Sequence, residues 1–165
     1  MIYVANQTRA RRLGTRALSR DLERLLEAIG ERGSSVSLTF VEDEAMRALN
    51  REHRGKDAPT DVLSFPLYEP EAFERSGVTR PRVRDGASER MLGDIVVSVD
   101  TARRQAAAYD AKLIDEIRRL LIHSVLHLAG HDHLEPGERA VMEAEERRLA
   151  AAIGMPWPYR EGEDA

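Results

Sequence analysis

The chain has 165 residues, 42% of them hydrophobic and 33% charged, with a net charge of −4 at pH 7. This length and apolar share fit one domain with a real core, and no apolar run is long enough to span a bilayer. Cysteine is absent, which excludes disulfides and any thiolate metal site, and the acidic balance gives no global pull toward nucleic acid.

The N-terminus, MIYVANQTRARR, places apolar residues before basic ones. A secretory signal has the opposite order, so a cytoplasmic location is expected. Residues 2–5 predict a short strand. From Thr15, the positions Leu18, Leu22, Leu25, Leu26 and Ile29 follow a helical stripe that Gly30 and Gly33 stop. SVSLTFV alternates Val36, Leu38 and Phe40 with Ser37 and Thr39, the pattern of a half-buried strand. Asp43 suits the cap of a short helix holding Ala45, Met46 and Leu49. REHRGKDAPTD is polar and predicts a loop, and VLSFPL follows as a strand with Pro66 at an edge or an end.

Residues 69–90 are rich in Pro, Gly, Arg and Glu without apolar periodicity, which predicts a long mobile loop. DIVVSV suits a buried strand. A helix is expected to begin near Asp100. Another is expected from about Leu113 to Ala129, with Ile114, Ile117, Leu120, Leu121 and Leu128 facing inward, and Gly130 sits where a left-handed cap would close it. Pro136 fits the first turn of a last helix reaching about Ile153. Beyond it the tail docks at Trp157 and is loose over residues 160–165. Strands and helices mix without strict alternation, which predicts an α+β fold in a single domain over residues 1–165. Arginines cluster at Arg9, Arg11, Arg12, Arg16 and Arg20 and again at Arg75, Arg80, Arg82, Arg84 and Arg90. Such clusters read as solvated faces as readily as binding patches.

Four of the five histidines fall within HSVLHLAGHDH, from His123 to His133. His123 and His127 lie four apart on a predicted helix, so both rings occupy one face. Gly130 lets the chain turn back, and His133 can return to the same point. Three neutral nitrogens with an open fourth position form the donor set of a catalytic zinc site, in which a bound water ionises near neutral pH. His131, against the turn, points to solvent or assists as a neighbour and is not assigned as a ligand. Asp132 either orients a ligand histidine through its other ring nitrogen or serves the turn. Ser124 follows the first histidine, where zincin peptidases carry the glutamate that acts as general base. Activation of water must then rest on the metal or on a base from elsewhere.

HSVLHLAGHDH resembles the HxxxHxxxxxH signature of the YbeY family of metal-dependent endoribonucleases. LNREHRGKDAPTDVLSFP (Leu49 to Pro66) and LGDIVVSVDTARRQA (Leu92 to Ala106) resemble that family's other two motifs, in the family's order. The resemblance implies an α+β domain with a mixed four-stranded sheet and a zincin-like arrangement of helices. It implies one Zn2+ ion held by His123, His127 and His133, with an arginine near the metal that falls at Arg54. It also implies cleavage of single-stranded RNA in maturation of the 16S ribosomal RNA 3′ end and in ribosome quality control. The implied partners are the small ribosomal subunit and the GTPase Era, with no membrane. Two departures stand out: His131 replaces the usual tyrosine, and the 69–90 loop is longer than usual.

An arginine fork matches phosphate geometry, which suits Arg54 to such chemistry; its alternative is an ion pair with Asp57 or Asp61. Asp94 reads as a buried hydrogen-bond partner, with support of the metal ligands from behind as its other role. Two further functions compete with the nuclease: a non-catalytic ribosome-assembly factor with a structural metal, and a metallohydrolase of another substrate class.

Overall fold

Leu18, Leu22, Leu25 and Leu26 are buried along one side of α1 (Thr15–Ala28), the stripe that the apolar spacing predicts. The computed structural model describes residues 1–66, 91–130 and 136–157. The 69–90 loop and the loose 160–165 tail predicted from the sequence lie outside the described residues. In chain order the remaining elements are β1 (Ile2–Asn6), β2 (Ser35–Val41), α2 (Asp43–Arg54), β3 (Val62–Pro66), β4 (Met91–Ser98), α3 (Val99–Ala108), α4 (Leu113–Leu128) and α5 (Pro136–Ala152). Among the described residues no helix is long and apolar enough to cross a membrane.

The strands form one mixed sheet in the order β1-β2-β4-β3. β1, β2 and β4 run parallel, and β3 pairs antiparallel with β4 at the edge, where the missing N–H of Pro66 costs no ladder bond. One face of the sheet carries Val36, Leu38, Phe40, Val62, Ile95 and Val97 against α1, α3, α4 and α5. The other face carries Val41, Leu63, Phe65 and Val96 against Met46 and Leu49 of α2. The structure is therefore α+β, with helices covering both faces of the sheet. Trp157 packs against the larger core, which docks the C-terminal segment as expected.

Three sequence expectations differ from the structure. β2 is not half-buried: all seven of its residues are buried. Ser37 and Thr39 lie on the α2 side, and the Ser37 hydroxyl is satisfied by a hydrogen bond to Asp94 on the neighbouring strand, so a polar residue is tolerated there. The segment after Leu49 is not all loop either. α2 continues to Arg54 and is closed by Gly55 at φ +68°, a conformation that glycine adopts without a Cβ penalty.

Asp43 also acts differently from the expected cap. It is the first residue of α2 rather than its cap, and Glu42 in the cap position makes no side-chain capping bond. α3 is capped by its own Ser98, whose Oγ accepts from the Thr101 amide at 3.4 Å, while Asp100 of α3 caps α2 and Asp43 of α2 holds side chains of α3 in return. The Asp43 amide donates to Asp100 Oδ2 at 2.9 Å, while Ser98 Oγ and Thr101 Oγ1 donate to Asp43 Oδ1 at 2.6 and 2.7 Å. Arg104 donates to the other Asp43 oxygen at 2.8 Å. Burial alone would raise the Asp43 pKa. The hydrogen bonds from Ser98, Thr101 and Arg104, with the Arg104 charge, outweigh burial and hold it below the ordinary carboxylate value.

Candidate metal centre and cleft

α4 is the central helix, packed on α1, α3, α5, β3 and β4. Ile117, Leu120, Leu121, Ile122, Val125 and Leu126 are buried on it. Ser124 is fully buried too, so the position where a zincin peptidase has its glutamate does not face solvent here. The remaining stripe of α4 is Arg119, His123 and His127, spaced i, i+4 and i+8, and it lines an open cleft of about 640 Å³. The helix ends at Leu128, and Gly130 at φ +94° takes the left-handed position that turns the chain away.

The imidazoles converge. His123 Nε2 and His127 Nε2 stand 3.0 Å apart, with ring planes steeply inclined at 74°. Without an ion this spacing is an N–H···N hydrogen bond in which one ring donates. Zinc–imidazole bonds of about 2.0–2.1 Å let one ion bind both nitrogens at that separation, so the donor pair fits a first-row divalent metal. Behind the pair, Glu146 of α5 is nearly buried and its Oε1 lies 3.8 Å from His123 Nδ1. A carboxylate on that side favours the tautomer with its proton on Nδ1, leaving the Nε2 lone pair for the site.

Arg54, at the last turn of α2, lines the same cleft as both histidines. Neither of the carboxylates weighed as its partner holds it. Asp57 is held by Arg47 at 2.8 and 3.0 Å. Asp61 accepts from the Val62 amide at 2.7 Å and from Gln105 at 3.3 Å, with Arg119 at 3.9 Å. Asn50 Nδ2 donates to the Ala58 carbonyl at 2.8 Å and ties the loop back onto α2.

Of the other residues singled out in the sequence, Asp94 is fully buried, hydrogen-bonded by Ser37, and on the sheet face turned toward α2 rather than α4. His53, the fifth histidine, packs against Phe65 with ring centroids 4.5 Å apart and planes tilted at 58°, and it is not among the residues lining the cleft. His131, Asp132 and His133 lie outside the described residues. Among the described residues no three His, Asp or Glu side chains gather as a metal cage; His123 and His127 are the two residues of the expected donor set that the structure describes. Glu146, Arg119, Gln105 and Tyr109 also line the cleft and were not singled out from the sequence. The Arg119–His123–His127 spacing was legible there, whereas Glu146 reaches the site only through the packing of α5 on α4.

The family model for endoribonuclease YbeY matches residues 3–154. The chain belongs to the YbeY endoribonuclease family. A relative from Moorella thermoacetica named endoribonuclease YbeY is 43% identical over 139 residues, covering 84% of this chain and 85% of the relative. A YbeY from Halorhodospira halophila is 40% identical over 140 residues, covering 85% and 83%. The solution structure of TM1509 from Thermotoga maritima shares the fold, with a TM-score of 0.60 at 22% identity and full coverage of both chains. The YbeY match runs from β1 to just past the C-terminal helix, so every cleft residue named above lies inside it.

Proposed function

We propose that this chain is a zinc-dependent endoribonuclease that cuts single-stranded RNA. Its place is in maturation of the 16S ribosomal RNA 3′ end and in ribosome quality control in the cytoplasm, with the small ribosomal subunit and the GTPase Era as partners. The observation that carries the reading is the pair of imidazole nitrogens 3.0 Å apart on the wall of the cleft that Arg54 also lines. Membership of the YbeY family supports the RNA substrate.

His123 and His127 would hold the ion together with His133. A bound divalent ion supplies Lewis acidity for a phosphate oxygen or for water. The protein's own groups do the rest. Glu146, 3.8 Å from His123 Nδ1, is the carboxylate on the side from which the ring would be oriented with Nε2 toward the cleft. Arg54 offers a planar guanidinium to the non-bridging phosphate oxygens as charge builds on them, and its value comes from being in place beforehand. Arg119 and Arg139 lie on the cleft wall with Glu116 and Glu143 as partners, at 2.5 and 3.4 Å, so much of their charge is already balanced.

The test is cleavage of a single-stranded RNA by purified protein after metal removal and after restoration of zinc. Loss and recovery of activity are expected. Activity that persists unchanged without metal overturns the proposal. Product ends compared on ribose and 2′-deoxyribose substrates then distinguish attack by water from attack by the 2′-hydroxyl.

A further inference from the structure

The cleft extends past the histidines along α4 to the junction of α3 and α4. Gln105 of α3 touches Arg119 of α4 at 3.4 Å. From that contact, His123 lies one turn further along α4, and Tyr109 lies one turn from Gln105 toward the α3–α4 connection. Tyr109 and the imidazole pair thus line the same cleft, separated by about 12 Å of helix axis at 1.5 Å per residue.

Tyr109 is 43% exposed, and among the described residues it is the one large exposed hydrophobic on the cleft; Met1 and Val141 lie elsewhere. Its backbone is held firmly. The Tyr109 amide donates to the Gln105 carbonyl at 3.1 Å, the Asp110 amide to Ala107 at 3.3 Å, and the Ala111 amide to Ala106 at 2.8 Å. Asp110, at φ 52°, is the one non-glycine residue with positive φ among the described residues, the left-handed closure of α3. With the backbone fixed, binding has only the two side-chain torsions of the tyrosine left to order.

Resting on the nuclease reading, we propose that Tyr109 is a stacking platform for one unpaired nucleobase of the substrate, upstream or downstream of the phosphate at the histidine pair. Gln105 and Arg119 lie along the strand's path between them. A base in a duplex already has stacking partners on both faces. An unpaired base gains one here, so the platform selects single-stranded RNA whatever the base identity.

The test is cleavage of a short RNA in which one abasic nucleotide is moved position by position along the strand. With the wild-type protein, one position should raise KM about tenfold, the scale of one base–aromatic stack, with kcat within about twofold. Tyr109→Ala should raise KM to a similar extent on the intact RNA and lose sensitivity to the abasic position. Tyr109→Phe, which keeps the ring face, should restore both. Binding is followed in parallel by quenching of 2-aminopurine placed at the sensitive position, or scanned along the strand when no cleavage occurs. An unchanged KM in Tyr109→Ala overturns the proposal, as does quenching that survives in that variant or is absent from the wild type. Tyr109→Phe behaving like Tyr109→Ala also overturns it, by assigning the effect to the hydroxyl. Quenching that depends on Tyr109 in a protein that never cleaves RNA would sink the nuclease reading and leave the platform standing.

Discussion

Replacing Asp43 with alanine should destabilise the protein by about 2–3 kcal/mol, most of it from one buried hydroxyl. Ser98 is fully buried and donates to Asp43 at 2.6 Å; without the carboxylate it has no acceptor there, a loss of about 1–3 kcal/mol. Thr101 can turn toward water. Arg104 is 61% exposed, so its ion pair adds at most about 1 kcal/mol. Loss of a negative charge from the first turn of α2 removes about 0.3–1 kcal/mol more. For a chain of this size the loss corresponds to a fall in Tm of about 4–12 °C. Urea unfolding at pH 7 measures it directly, and repeating it at lower pH tests the cause. The Asp43 pKa is lowered in the folded protein, so its contribution is complete above the unfolded value of about 3.9 and is lost as pH falls through the folded value. The gap between wild type and variant should therefore be constant above about pH 5 and narrow below about pH 4. A loss under about 0.5 kcal/mol at pH 7, or a gap that stays flat into strong acid, would refute the bracing of Ser98, Thr101 and Arg104 by Asp43.

Three further substitutions probe the cleft. His127→Ala should lower zinc content and RNA cleavage together, read by elemental analysis beside an activity assay; full zinc occupancy in the variant would count against the site. Arg54→Ala should leave zinc content unchanged and cut turnover by about 10²–10³, the scale of losing one preorganised donor to a developing oxyanion; undiminished cleavage would remove Arg54 from the chemistry. Glu146→Gln should weaken zinc affinity by about 10- to 100-fold, measured by competition with a chelator, and shift the His123 ring-nitrogen resonances toward the other tautomer. Unchanged resonances would mean that the carboxylate does not orient the ring.

The helical stripes of α1 and α4 were legible because their apolar positions repeat at the helical period and end at Gly30 and Gly130. The His123–His127 pair is legible for the same reason: spacing by four on a recognisable helix dictates a shared face. The last turn of α2 is not legible in the sequence because Arg51, Glu52, His53 and Arg54 carry no apolar signal. The full burial of β2 is not legible because Ser37 and Thr39 alternate as solvent-facing residues do, and only Asp94 and the covering α2 make that side an interior one. Glu146 and Tyr109 belong to the cleft only because α5 and α3 pack against α4, a tertiary fact that no local pattern announces.

The central claim is that His123, His127 and His133 share one ion and leave a coordination place open. X-ray absorption at the zinc edge of the loaded protein tests it most directly. Three imidazole nitrogens at about 2.0–2.1 Å with a single light scatterer from solvent are expected. Two or fewer imidazoles, or a shell closed entirely by side chains, would contradict the claim.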